Sequence, residues 1–210
     1  MSGHSGTHLD ALSHVAHDGL VYEGQPLSIV QGGVEGLTHG SIESVAPIFR
    51  RGLLLDVPRH RKSDVLPAGT AVNAAEMEQI VVAAGLAVGD GDCVLIRTGF
   101  GSYWDTDSDR YLGIETGVPG VDLDGAVWLQ ERGVFLVGSD TAVFECMPSG
   151  ATEMPVHLHL LARHGVFIME NMDLETLSRR GCLEFLFVAL PLALAGSSGS
   201  PVRAVALLSR

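Results

Sequence analysis

The sequence has 210 residues, of which 46% are hydrophobic and 18% charged, values typical of a folded globular protein with a sizeable core. Its net charge of -12 at pH 7 argues against a nucleic-acid-binding surface. The longest apolar stretch, residues 185–195, is too short to span a bilayer. Three dispersed cysteines and the lack of a signal-peptide pattern favour a reducing, cytoplasmic location without a membrane partner.

The first fourteen residues contain three histidines and one carboxylate at short spacings: His4, His8, Asp10 and His14. Imidazole and carboxylate groups are ligands of divalent ions such as zinc or manganese. Gly6 between the first two histidines disfavours a helix, so we expect a turn or extended loop that brings His4, His8 and Asp10 together. His14 is displaced by one more short step, which suggests a base beside the metal. A histidine-rich tag or frayed terminus is the alternative.

The next segments alternate between loops and regular elements. Residues 25–47 are glycine-rich and predict a long loop with short pieces of structure. A continuous apolar run predicts a buried strand over 48–57, and the basic cluster at 59–62 is interpreted as a solvated loop. A capping-box pattern and helical spacing predict a helix over 73–84 that ends at a glycine. Residues 90–99 predict a turn, a second buried strand and a glycine break.

Residues 99–121 predict a long loop that carries Phe100, Tyr103, Trp104 and Tyr111. Loops of this length often line a pocket. The aromatic side chains could stack on a planar substrate, although packing on the protein's own surface is the default expectation.

A helix, a glycine and a short apolar strand then occur twice in succession, which predicts α/β layering. The two units are a helix over 123–132 with a strand over 134–138, and a helix over 155–164 with a strand over 166–169. Two further strands are predicted over 184–191 and 201–208, joined by a flexible glycine and serine linker at 196–200. We therefore expect a single α/β domain over residues 1–210.

His157 and Glu170 are the best candidates to complete a metal site. His157 lies in the first turn of its predicted helix, after Pro155, and Glu170 ends the following strand. If the helix and strand pack antiparallel, these two residues lie at the same end of the layer. His159 points away from His157 by roughly 200° on a helical wheel, and His164 suits a structural role at the helix end.

Together these motifs resemble the cyclase-like metal-dependent hydrolases, the family that includes kynurenine formamidase and isatin hydrolase. The run from His4 to His14 carries most of the resemblance. The later pieces follow in the family's order over nearly the whole chain: Leu95-Ile-Arg-Thr-Gly99, Val137-Gly-Ser-Asp-Thr141, Glu145, Pro155-Val-His157 and Ile168-Met-Glu-Asn171.

The resemblance implies a swivelling β/β/α fold with a central mixed sheet flanked by helices, assembled as a homodimer or homotetramer. It implies one or two zinc or manganese ions bound by His4, His8, Asp10, His157 and Glu170, with His14 as proton donor and acceptor. Compared with that family, a segment of a few dozen residues before the first motif is missing. Leu12 stands where the formamidases usually have proline, which indicates a different branch.

The activity expected from this resemblance is hydrolysis of an amide or lactam bond of a small aromatic compound. A metal-activated water would attack, with a histidine as proton shuttle. Two alternatives remain: a lyase or cyclase that uses the same metal, and a non-catalytic module that binds a metal and a small molecule. A serine hydrolase is disfavoured, since the sequence has no Gly-x-Ser-x-Gly motif. The sequence does not identify substrate-binding residues.

Overall fold

The computed structural model describes residues 2–208, so Met1 and residues 209–210, at the ends of the predicted domain, lie outside the described part. Its centre is an eight-stranded mixed sheet. In chain order the strands are β1 His8–Asp10, β2 Ile48–Asp56, β3 Cys93–Arg97, β4 Leu136–Ser139, β5 Phe167–Glu170, β6 Glu184–Ala189, β7 Gly199–Pro201 and β8 Val205–Leu207.

The strands lie in the order β7-β1-β5-β4-β3-β2-β6-β8. The four central strands β5, β4, β3 and β2 are parallel, as their continuous apolar sequences predict. The strands on both flanks pair antiparallel. As a result the first strand of the chain, β1, lies between two strands that come more than 150 residues later.

Helices flank this sheet. They are α1 Leu27–Val30, α2 Val57–Arg61, α3 Ala74–Ala83, α4 Ser108–Leu112, α5 Leu123–Glu131, α6 Pro155–His157 and α7 Glu175–Arg180. From Leu158 to Arg163 the chain continues α6 in wider π-type turns. The predicted α/β fold class, a mixed sheet flanked by helices, is confirmed. None of the helices within residues 2–208 is long and apolar enough to cross a membrane.

Side chains alternate along each strand and divide the core into two clusters. Helices α3, α5 and α6 pack on one face of the sheet, against residues such as Leu55, Ile96 and Ile168. Leu9 and Met169 point to the other face. The neighbours of Leu9 and Met169, which include His8, Asp10 and Glu170, therefore lie on the face that α6 covers.

Most predicted elements are present within a residue or two of their expected bounds. Asn73 begins α3 by accepting a hydrogen bond from the backbone of Glu76, and Gly85 follows its end with φ of +65°. The strands predicted over 48–57, 134–138, 166–169 and 184–191 correspond to β2, β4, β5 and β6. These segments carry apolar runs long enough to specify a buried strand.

Four local predictions were wrong. The basic cluster at 59–62 is largely helical, because Pro58 stands in the first turn of α2 and Asp56 accepts a hydrogen bond from Arg59. The predicted loop 99–121 contains a 3-10 turn, helix α4 and two short strands. The predicted linker 196–200 overlaps β7. The strand predicted over 201–208 is divided, because Pro201 ends β7 and only Val205–Leu207 forms β8.

Candidate metal centre

Strands β1 and β5 place two of the predicted site residues directly opposite each other. His8 is the register partner of Glu170, and its Nε2 lies 3.4 Å from a Glu170 carboxylate oxygen. Asp10 is two residues along the same strand, so its side chain points to the same face. The Asp10 Oδ1 atom lies 3.5 Å from His8 Nε2.

Helix α6 adds His157 from above this strand pair. Its Nε2 lies 3.1 Å from Glu170 Oε1 and 3.7 Å from Asp10 Oδ2. Pro155 begins the helix, where its lack of an N–H costs nothing. The helix start and the strand end thus meet at one edge of the layer, as expected for an antiparallel helix and strand.

His4 reaches the same place from the turn before β1. Its Nδ1 lies 2.9 Å from Asp10 Oδ1, and its side chain is 24% exposed. Gly6 has φ of +62°, a conformation that glycine adopts readily and that bends the chain between His4 and His8. The sequence-based prediction of a turn here is therefore correct.

His14 lies beside the cluster. Its ring centroid is 4.2 Å from that of His4, and its Nδ1 is buried without a hydrogen-bond partner. Its donor atoms are not among those that lie close enough together to share one ion. The same is true of His159 and His164; their rings contact each other, with centroids 4.4 Å apart.

The donor atoms fit a divalent cation. Within residues 2–208, two groups bring ligand atoms within 4.8 Å of one another, and both include Asp10. They are His4, His8 and Asp10, and Asp10, His157 and Glu170. Ligands about 2.1 Å from a tetrahedral zinc ion lie about 3.4 Å apart, and the gaps measured between these side chains bracket that value.

The Asp10 carboxylate gives the most direct indication of an ion. Asp10 is 0% exposed, yet neither of its oxygens receives a well-directed hydrogen bond. A buried ionised carboxylate without such partners is costly. A cation shared with the neighbouring imidazoles would remove that cost, and nitrogen and oxygen donors together suit zinc or manganese.

Electrostatic interactions hold the cluster together in the metal-free protein. Burial alone lowers the pKa of His157, but its hydrogen bonds with Glu145 and Glu170 outweigh this effect and raise the pKa to about 10. Burial alone raises the pKa of Glu170, whereas its hydrogen bonds with His157 and His8 lower the pKa to about 2. Without a metal, His157 is therefore protonated and Glu170 ionised near neutral pH.

Burial is also the largest influence on His14, but here the opposing effect of the Asp10 charge does not outweigh it, so the pKa of His14 is lowered. A histidine with a lowered pKa is neutral near pH 7. It can therefore accept a proton there, which His157 in the metal-free protein cannot do.

Glu145 is a site residue whose role the sequence did not reveal. Its carboxylate accepts hydrogen bonds from His157 Nδ1 at 2.6 Å and from the backbone N–H of His157 at 3.0 Å. It also accepts one from the N–H of Val156 at 3.2 Å. Glu145 lies well before Pro155 in the sequence, outside the range of a capping pattern, so no local signal indicates its interaction with the free N–H groups of the first turn.

The chain is similar in sequence and in fold to proteins described as cyclases. A family model for cyclases, described as "Putative cyclase", matches residues 1–145. This range includes His4, His8, Asp10 and His14 and ends before His157. A solved structure described as a novel cyclase superimposes with a TM-score of 0.90 at 31% identity, covering 99% of this chain and 71% of that one.

Two kynurenine formamidases and an isatin hydrolase are also similar. The protein from Bacillus cereus (strain ATCC 14579) is 27% identical over 213 residues, which cover 98% of this chain and 76% of that protein. The protein from Bacillus thuringiensis (strain Al Hakam) is 38% identical over 88 residues, which span only 39% of its length and 42% of this chain. An isatin hydrolase bound to the product analogue thioisatinate shares the fold, with a TM-score of 0.77 at 22% identity, covering 100% of this chain and 74% of that one.

Proposed function

Because the chain belongs to the Cyclase family, we propose that it is a metal-dependent hydrolase that cleaves an amide or lactam C–N bond of a small aromatic substrate. The observation that carries this proposal is the fully buried Asp10 carboxylate, which lies among imidazoles and receives no hydrogen bond. Kynurenine formamidase and isatin hydrolase, by their names, act on aromatic amides or lactams, which supports this substrate class.

The proposed ligands are His4, His8, Asp10, His157 and Glu170, which would hold one or two zinc or manganese ions. A divalent cation there would supply Lewis acidity, which can lower the pKa of a water from 15.7 to about 7. The side chains of Asp10 and His157 are each 1% exposed, compared with 24% for His4. A substrate would therefore approach from the side of His4 and His14.

His14 would move the proton. It is neutral near pH 7 because burial lowers its pKa, and its Nδ1 has no hydrogen-bond partner. In amide cleavage a proton must be taken from the attacking water and delivered to the leaving nitrogen. An unpaired imidazole nitrogen beside the site can do both in turn.

The test is metal analysis of the purified protein combined with assays on N-formylkynurenine, isatin and simple aryl formamides, with zinc or manganese added. We expect bound metal and hydrolysis of at least one compound. His14→Ala should abolish turnover and leave metal content near normal. His17→Ala is the matched control, since that imidazole interacts with Arg163 and Asp18 instead, and it should retain activity.

Other outcomes would favour other functions. Turnover of a substrate without hydrolysis would support a lyase or cyclase. Tight metal binding without turnover of any compound would support a non-catalytic module. Loss of metal in the His14→Ala variant would make that residue a ligand. Assembly as a homodimer or homotetramer and a cytoplasmic location remain predictions from the sequence.

A further inference from the structure

The segment 196–200, predicted as a flexible linker, is firmly held beside the candidate metal centre. Backbone oxygens of this segment accept hydrogen bonds at three successive positions, from Leu37 to Gly196, Ile42 to Ser197 and Ala11 to Ser198, over 2.8–3.0 Å. Its last two residues lie in β7, where Gly199 is the register partner of Asp10. The segment is therefore a fixed wall of the site.

This wall contacts His4 in two ways. The Ser198 hydroxyl lies 3.0 Å from His4 Nε2. A Cβ atom on Gly199 would come within 2.5 Å of the imidazole carbon between the two nitrogens, so the ring can occupy this position only because residue 199 has no side chain. With Nε2 beside Ser198, the other nitrogen, Nδ1, lies on the side of the candidate metal centre, 2.9 Å from Asp10 Oδ1.

The three candidate histidine ligands share one arrangement. His8 presents Nε2 to the acidic side chains, and its Nδ1 lies 2.9 Å from the carbonyl oxygen of Gly6. His157 also presents Nε2, and its Nδ1 lies 2.6 Å from Glu145. His4 is reversed, because it presents Nδ1 and its Nε2 contacts Ser198. Each ring thus has one nitrogen toward the centre and a partner on the other.

We propose that Ser198 is a positioning residue that accepts the Nε2–H of His4 and so leaves the Nδ1 lone pair free for the cation. A partner on the distal nitrogen fixes both the tautomer and the orientation of a metal-binding histidine. Ser198 thereby has the same role for His4 that Glu145 has for His157. This inference rests on the proposed function, in which His4 binds the metal.

The test compares Ser198→Ala with Ser28→Ala, a matched change at an exposed serine. Zinc affinity is measured by competition with a chelator, and the tautomer of His4 by long-range 15N–1H NMR of the metal-free protein. We expect Ser198→Ala to weaken zinc binding about 10- to 100-fold and to reduce the Nε2–H form of His4. The control should leave both unchanged.

Two further variants separate positioning from a general loss of structure. Ser198→Thr keeps the hydroxyl and should restore zinc affinity. Gly199→Ala keeps Ser198 but displaces the ring, so it should also weaken binding. Zinc affinity within twofold of wild type for Ser198→Ala, or no recovery with Ser198→Thr, overturns the inference. If the wild-type protein itself binds no zinc or manganese, the proposed function fails instead.

Discussion

Two buried carboxylates, each at the end of a strand of the central sheet, have opposite surroundings. Asp140, after β4, is 1% exposed and accepts hydrogen bonds from the backbone of Thr98 and Gly99 and from the Thr98 hydroxyl, over 2.7–2.8 Å. Asp10, at the end of β1, is at least as deeply buried and accepts none. These two carboxylates therefore do not differ in burial but in whether hydrogen-bond donors surround them.

The difference between Asp10 and Asp140 predicts that Asp10→Asn has the largest effect on zinc affinity. This substitution removes the charge that both candidate ligand groups share. Zinc affinity should fall by at least the 10- to 100-fold that loss of an outer partner typically costs. The free energy of unfolding of the metal-free protein should change by less than about 1 kcal/mol, because no hydrogen bond is lost and the relief from burying a charge offsets the lost attraction to His8 and His157. Chelator competition and denaturant unfolding measure the two effects.

The same substitution at the other carboxylate, Asp140→Asn, should have the reverse effect. One amide nitrogen would then face the backbone N–H groups of Thr98 and Gly99, leaving a buried donor unpaired. The free energy of unfolding should fall by about 2 kcal/mol, while the folded protein keeps its zinc affinity. If Asp10→Asn and Asp140→Asn destabilise the metal-free protein equally, the distinction between the two carboxylates is wrong.

Glu145→Gln should have an intermediate effect, because Glu145 is a buried carboxylate that is satisfied by His157 and holds it in place. The neutral amide is a weaker acceptor for the ring N–H. Zinc affinity should fall about tenfold, with turnover reduced when metal is limiting. Turnover at saturating zinc provides the control, and an unchanged zinc affinity would show that Glu145 does not orient the imidazole.

The last prediction concerns the proton that zinc binding should release. In the metal-free protein the pKa of His157 is about 10, so zinc must displace one proton from Nε2 at neutral pH. Below pH 10 the apparent affinity should therefore rise about tenfold per pH unit from this group alone. Calorimetry in buffers with different ionisation enthalpies measures the released proton. Asp140→Asn should keep this slope, since its partners do not titrate; a heat independent of the buffer would contradict the prediction.

The sequence predicted those parts of the site that depend on local patterns. The spacing of His4, His8 and Asp10 around Gly6 indicated a turn, and Pro155 with the following apolar strand located His157 and Glu170 at one edge. The partners of these residues were not predictable in this way. Ser198 contacts His4 only because β7 pairs with β1, and such a pairing between distant segments leaves little trace in local composition.

The same limit applies to the errors in the fold. Helix α4 is five residues long and begins with an Asp107 cap, too short to produce a clear helical periodicity. The π-type turns after His157 cannot be recognised from the 3.6-residue periodicity that identifies a regular α-helix. Predictions were accurate for long apolar segments and poor where short segments depend on tertiary contacts.

The position of β1 between β5 and β7 has a consequence for biosynthesis. The strand that carries His8 and Asp10 is synthesised long before residues 167–170 and 199–201, which form its two neighbours. Strand β1 therefore stays incompletely paired until both of these later segments have been made. Closing such long loops is slow, so the candidate metal centre should be among the last parts of the molecule to form.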